Sequence, residues 1–359
     1  MRVSKSPRRA ITSSSSFFAF MTNHAIAGRY KATRISLAAI IISVNLFLTM
    51  SSVNEKAEVD AEAKMEADVD VCASCGKAAV DEIKLKKCAC NLVKYCSVDC
   101  QKSHRQQHKK ICKRRLAEIR DDTLLTQPEN SHLGECPLCC LPLSLDITKS
   151  HMSDCCSKVI CNGCSYSNSK REFEAGLEPR CPFCREPAAK SKEEADKRVM
   201  ERVKKNDPVA IWQIGKGRYD AGDYDKAFEY MSKAAGLGDA SAHFTLSSMY
   251  DNGEGVKKDE KMFIYHSEKA AIGGHPIARH NLAATEARNG RVERAMKHFI
   301  IAASLGYDES LEVLKECFQT GHVSKGDLEA ALRAHHAALS AVKSPQREEA
   351  EREKGKTWR

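Results

Sequence analysis

The chain has no phosphate-cradling Walker loop, no glycine-rich dinucleotide fingerprint and no nucleophile elbow. It therefore lacks the common signatures of nucleotide-dependent and serine-hydrolase chemistry. Gly215-Lys-Gly217 is too short to stand in for a phosphate loop. Long apolar runs are missing too. The longest, Ile35 to Met50, is 16 residues and is broken by Ser36, Ser43, Asn45 and Thr49, short of the ~20 residues that span a bilayer as a helix. Acidic residues are absent from residues 1–54, where seven Lys/Arg stand, so the net charge of +9 leaves only about +2 for the rest. That balance makes no electrostatic case for nucleic acid as a partner. Outside Cys72–Cys184 the 359 residues hold one cysteine, Cys317, which argues against a scattered, secreted disulfide framework.

Residues 1–71 read as a leader followed by an acidic linker. Arg29, Lys31 and Arg34 ahead of the apolar run suit a signal or transit segment, and residues 35–50 are the one stretch expected to touch a membrane. The favoured reading is a translation start at Met50, directly before the acidic stretch Glu55 to Asp70. Clustered thiolate sites belong in a reducing cytoplasm or nucleus. Organelle targeting or a membrane anchor is the alternative if the leader is genuine.

What the chain does have is cysteine in pairs. Sixteen of seventeen fall between Cys72 and Cys184, most as Cys-x-x-Cys or similar tight pairs, joined by His108. Such spacing presents several thiolates to one metal, as a closed structural zinc site requires. In residues 72–112 the candidate ligands are Cys72, Cys75, Cys88, Cys90, Cys96, Cys100, His108 and Cys112, enough for two tetrahedral sites. Cys96 and Cys100, like His108 and Cys112, are four apart, so each pair is expected to project from one helical face. The segment Tyr95-Cys-Ser-Val-Asp-Cys-Gln, followed by His104, His108 and Cys112, resembles the MYND zinc finger. The resemblance implies interleaved sites, with Cys72, Cys75, Cys96 and Cys100 on one zinc and Cys88, Cys90, His108 and Cys112 on the other. It also implies a peptide-binding adaptor module. Two departures stand out. Cys88-x-Cys90 is one residue tighter than the usual pair, and Arg105 replaces the usual Trp of the docking surface. His104 reads as a helix-surface or supporting residue, and Lys109, Lys110, Lys113, Arg114 and Arg115 as a solvated face. Nothing resembles the catalytic SET segment of the lysine methyltransferases that carry some MYND fingers.

A helical segment, Lys113 to Arg120, and a polar linker (113–135 together) lead to a second cysteine-rich region, residues 136–185. Its pairs are Cys136/Cys139, Cys155/Cys156, Cys161/Cys164 and Cys181/Cys184, and they resemble a RING finger, which implies that pairs one and three share one zinc and pairs two and four another. In the alignment of Cys156-Ser-Lys-Val-Ile-Cys161, Lys158 stands where a His ligand belongs, and a lysine must lose its proton to coordinate. One or two zinc ions are therefore expected here, with Cys155 or His151 as substitute ligand and Cys140 as a spare buried thiol. The resemblance places Leu138, Pro182 and Arg185 at positions where active RING ubiquitin ligases meet a ubiquitin-conjugating enzyme. Alternatively these residues only brace the loops.

Residues 186–206 read as a connecting helix, ended by Asn206-Asp207-Pro208, a helix-start signal. From there the chain repeats. Lys233-Ala-Ala-Gly-Leu-Gly recurs 36 positions on as Lys269-Ala-Ala-Ile-Gly-Gly, and Ala302-Ala-Ser-Leu-Gly 32 positions later again. Apolar residues at helical spacing (Phe228, Met231, Ala235) lie between, the signature of a helix-hairpin solenoid over 207–342. Gly217 to Phe228 looks like a tetratricopeptide hairpin, and Met249-Tyr-Asp-Asn-Gly-Glu-Gly-Val-Lys-Lys-Asp is similar to a Sel1-like repeat. About three clear units and a weaker fourth imply a concave surface for a protein or peptide. Residues 343–359 read as a charged, disordered tail.

The expected fold class is an α-rich multidomain chain: two small zinc-stabilised modules, then an α-helical hairpin solenoid. The expected function is a zinc-binding adaptor between proteins; the alternative is a RING-type ubiquitin ligase whose repeats select the substrate.

Overall fold

The computed structural model describes residues 71–79 and 84–354. The leader, its apolar run 35–50 and the Met50 start site lie outside the described residues, as do residues 355–359 of the tail. Two units separate between Gln127 and Pro128, and each is taken by itself.

In the first unit, β1 (Lys86–Lys87) pairs antiparallel with β2 (Lys94–Tyr95). One helix follows, α1 (Val98–Leu125), 28 residues long. It reaches much further back than the expected Lys113 to Arg120, because no Gly or Pro interrupts Val98 to Leu125 and Ser97 caps the start by accepting from the Cys100 N–H.

The second unit begins with a finger: β3 (Ser150–Met152) pairs with β4 (Val159–Cys161), and α2 (Asn162–Glu174) follows directly. Its core is small, built on Leu143, Ile160 and buried cysteines. Beyond it lie α3 (Lys192–Lys204) and four helical hairpins. They are α4 (Pro208–Asp220) with α5 (Tyr224–Gly236), α6 (Ala240–Asn252) with α7 (Glu260–Ile272), α8 (Pro276–Arg288) with α9 (Val292–Ser304), and α10 (Asp308–Gln319) with α11 (Lys325–Ala341). Local chemistry sets these boundaries. Asp207 and Asp239 cap helix starts with their carboxylates, and His275 does the same with Nδ1. The recurring Gly238, Gly274 and Gly306 take φ of +90°, +81° and +89°, the left-handed turn between one hairpin and the next. Buried alanines, including Ala227, Ala234, Ala270, Ala278, Ala287 and Ala303, let the helices approach closely, and Met231, Leu246, Leu282 and Phe299 fill what is left.

The finger is seated on the hairpins. Met152 packs against the core of the first ones, and Leu145 reaches the Gly306 turn beside Ala338 and Leu339. The linker residue His132 stacks on His275 at 4.1 Å and donates its backbone N–H to the Gly274 carbonyl at 3.1 Å. The tail differs from expectation. Residues expected to be disordered form α12 (Pro345–Arg352), with Pro345 in its first turn and Ser344 as cap, packed on α2. Among the described residues no helix is long and apolar enough to cross a membrane.

Candidate metal centres

The cysteines reach their places through a repeated turn. In Cys72–Gly76, Cys136–Cys140 and Cys181–Arg185, the residue after the second cysteine donates its N–H to the first cysteine's carbonyl at 2.9–3.0 Å. That closing residue takes φ of +72° at Gly76, +54° at Cys140 and +65° at Arg185. Cys140 is therefore a turn-closing residue whose side chain is exposed, not the buried spare thiol expected from its sequence. The tight pair uses a shorter version: Asn91, at φ +60°, closes on the Cys88 carbonyl three residues back.

These turns bring four sets of ligand atoms together. They are Cys72, Cys75, Cys96 and Cys100; Cys88, Cys90, His108 and Cys112; Cys136, Cys139, Cys161 and Cys164; and Cys155, Cys156, Cys181 and Cys184. Within each set all ligand atoms lie within 4.8 Å of one another. Neighbouring sulfurs stand 3.6 Å apart at Cys75/Cys96 and Cys96/Cys100, 3.7 Å at Cys88/Cys112, 3.8 Å at Cys139/Cys161, 3.3 Å at Cys155/Cys184 and 3.9 Å at Cys156/Cys181. A tetrahedron with Zn–S bonds near 2.3 Å has edges of about 3.8 Å, so these separations fit a shared zinc. His108 Nε2 faces Cys90 Sγ at 3.1 Å. The Cys96/Cys100 pair does not share a helical face, since Cys96 precedes the Ser97 cap and only Cys100 lies on α1.

Electrostatics point the same way. The Cys96 backbone N–H, helped by those of Cys75 and Ser74, holds the Cys72 thiol down to about 6 against its burial. Burial opposes ionisation of Cys136 and Cys181, but backbone N–H groups of Cys161, Cys139 and Leu138 on the one, and of Cys184 and Phe183 with the Ser153 hydroxyl on the other, bring each to about 7. Their neighbours go the opposite way. Contact with the Cys100 and Cys75 thiols pushes Cys96 up to about 12, and burial with the crowding of Cys88 and Cys90 does the same to Cys112. Burial also raises Cys155, Cys156 and Cys164. Each set thus pairs a thiol held down (Cys72, Cys88, Cys136 or Cys181) with at least one neighbour pushed up, which is the behaviour of crowded thiols that a shared cation would relieve. Burial, then the neighbouring His104, lowers His108 and keeps the neutral imidazole a metal needs.

Residues 72–112 match the MYND finger family. This first region is a MYND finger. Residues 212–239, 240–275 and 288–307 match the Sel1 repeat, so the hairpins from α4 to α9 carry Sel1 repeats, and the α10/α11 hairpin lies beyond these matches. No curated protein matches the chain. Among solved structures, a Sel1 repeat protein from Oxalobacter formigenes is similar at 23% identity, over 49% of this chain and 73% of its own, with a TM-score of 0.37. A protective antigen from uropathogenic Escherichia coli strains, displaying an SLR fold, is similar at 19% identity, over 54% of this chain and 42% of its own, with a TM-score of 0.33.

In the MYND finger, His104 supports a ligand: its ring stacks on His108 at 5.6 Å while its Nδ1 meets the Tyr95 hydroxyl at 3.0 Å. Arg105 is exposed. In the second finger the residue brought to the fourth set is Cys155, whereas His151 lies on β3 opposite Ile160 and outside the set. The turn there is closed by Ser157, at φ +57°, on the Ser153 carbonyl at 2.8 Å. Ser153 thus holds the place that a first cysteine holds elsewhere, and Cys155 supplies the missing sulfur. Lys158, aligned with a His ligand, is exposed and lies over the Phe183 ring at 5.7 Å. Leu138, Pro182 and Arg185 line one groove of about 520 Å³ with Ser167, Asn168 and Arg171. Leu138 is 40% exposed. Arg185 is engaged within the finger, its Nη1 donating to Asn168 Oδ1 at 2.8 Å and its Nη2 to Glu172 Oε1 at 3.0 Å. Glu172 is itself buried and also accepts from the Arg180 N–H. No motif flagged Glu172; a lone acid inside a finger helix gives no signal until its arginine is seen.

Proposed function

We propose that the chain is a zinc-held adaptor, binding four zinc ions, two in the MYND finger and two in the second, RING-like finger, and meeting proteins or peptides through its fingers and repeats. The observation that carries this reading is the set of four ligand clusters, each bringing four ligand atoms within 4.8 Å of one another. The zinc is scaffold: four protein ligands close each site to water and leave no open position for substrate. Clustered thiolates support a reducing compartment, cytoplasm or nucleus. Metal analysis of the purified chain by mass spectrometry under native conditions tests the count. Four zinc ions per chain are expected, and three or fewer would refute the full set.

A second reading, a ubiquitin ligase, is favoured by the groove that joins Leu138, Pro182 and Arg185. Against it, the Arg185 guanidinium is held by Glu172 and Asn168. That pairing also shapes the experiment. Arg185→Ala would strand a buried carboxylate and damage the fold, so Leu138→Glu is the cleaner variant. Auto-ubiquitination with a panel of conjugating enzymes, lost in Leu138→Glu with zinc content unchanged, would establish the ligase. Silence across the panel leaves the adaptor.

A further inference from the structure

Helix α12, Pro345–Arg352, folds back onto the metal ligands. Arg347, on α12, donates from Nη1 to the carbonyls of Pro142 at 2.7 Å and Val342 at 2.9 Å. From Nη2 it donates to the Leu141 carbonyl at 3.1 Å and to Cys139 Sγ at 3.3 Å. Leu141 and Pro142 follow the turn that carries Cys136 and Cys139, so one guanidinium binds both a ligand sulfur and the backbone behind it. The opposite ligand pair is touched as well. Gly163 lies between Cys161 and Cys164, and a Cβ there would come within 2.8 Å of Arg347 Cγ and 2.9 Å of its Cα and backbone N. Only glycine admits this approach. Two further contacts align the helix: Gln346 Nε2 donates to Ser167 Oγ at 2.8 Å, and Lys170 pairs with Glu349 at 3.0 Å.

Four thiolates around one Zn²⁺ carry a net charge near −2, so a cation against a ligand sulfur is favoured, and an N–H donated to that sulfur is charge-assisted. The planar fork of arginine satisfies sulfur and carbonyls together, which a lysine ammonium does not. We propose that Arg347 is an outer partner of the Cys136/Cys139/Cys161/Cys164 zinc cluster, through which the C-terminal helix retains that metal and the metal in turn holds the helix on the finger. The proposal rests on the reading that this cluster binds zinc. Its consequence is a finger completed by a helix that lies beyond the last repeat, with coupling that runs equally in both directions.

The test uses the full-length, zinc-loaded chain. Zinc release to a chelating dye is followed in wild type, Arg347→Ala and Arg347→Lys, while iodoacetamide labelling and peptide mass spectrometry identify the cysteines set free. In Arg347→Ala one zinc should leave about 10- to 100-fold faster, the range for loss of a ligand's supporting partner. Cys136, Cys139, Cys161 and Cys164 should be labelled first, with the other sets unchanged. Arg347→Lys should recover only part of the retention. Conversely, stripping that zinc from wild type should speed tryptic cleavage after Arg347 and Arg352. Release at the wild-type rate from Arg347→Ala, or equally faster release from all four clusters, overturns the proposal. If Arg347→Ala does not fold, Arg347→Gln and Arg347→Lys carry the same comparison. A wild-type chain that holds zinc at this cluster but shows no Arg347 effect refutes the inference alone; one with no zinc there refutes the underlying reading too.

Discussion

The core of the second finger holds four thiols, Cys136, Cys161, Cys164 and Cys181, beside Leu143 and Ile160. The core of the later hairpins holds Ala283, Ala287, Ala295, Met296, Phe299, Leu311 and Leu314. Both regions fix their backbones, but the finger buries too little apolar surface to do so by hydrophobicity, and its turns bring anions together that repel unless a cation joins them. The repeats need nothing added. Each hairpin buries its stripe against the next, so stability there is a sum of neighbour contacts. The difference teaches that the two halves should fail under different insults.

Metal removal should separate them most. Structural zinc in small fingers is worth roughly 10–16 kcal/mol per site, so chelation at neutral pH should leave residues 72–127 and 136–184 open to protease while helical circular dichroism from the repeats persists. A single cooperative collapse of both regions on chelation would break the comparison. Within the second finger, Cys156→Ser should lower the zinc count by one and Cys140→Ser should leave it unchanged, because Cys140 only closes a turn. Lys158→His should add none, since Cys155 already completes the set. In the opposite direction, Phe299→Ala, at a fully buried site, should cost roughly 3–5 kcal/mol, lower the melting midpoint of the repeats and leave the metal content as in wild type.

Much of this division was legible from residues alone. Cysteine spacing marked both fingers, and a recurrence of 32–36 positions marked the repeats, because a period and a metal-ligand pair are local patterns. Three things were not fully legible. The length of α1 was only partly legible: the His108/Cys112 spacing and Lys113 to Arg120 each predict helix, but neither joins the two into one helix running back to the Ser97 cap. The place of Cys140 was hidden because a left-handed closing position is usually announced by glycine, as at Gly76, and here is not. The charge of the tail predicts disorder, yet Arg347 finds carbonyl and sulfur partners some two hundred residues earlier, and no local pattern encodes a partner at that distance.

The smallest expected effect concerns acid. His298 is fully buried in the repeats, and among the described residues neither ring nitrogen has a hydrogen-bond partner. Burial, aided by the charges of Arg279 and Arg294, holds it from an ordinary 6.5 down to about 3. Above pH 6.5 the imidazole is neutral whether the chain is folded or not, so it adds no pH dependence there. Below that point the unfolded chain takes up a proton that the folded chain refuses until about pH 3. Stability therefore falls as pH drops, by up to about 1.4 kcal/mol per pH unit, reaching about 2 kcal/mol at pH 5. Zinc loss at low pH would also weaken the fingers, but it is common to wild type and a His298→Leu variant and cancels between them. From pH 7 to pH 5 the melting midpoint of the repeats should fall less steeply in His298→Leu. Parallel slopes would mean that the buried imidazole is protonated in the fold after all, and that this region is less sealed against charge than its alanine-rich core implies.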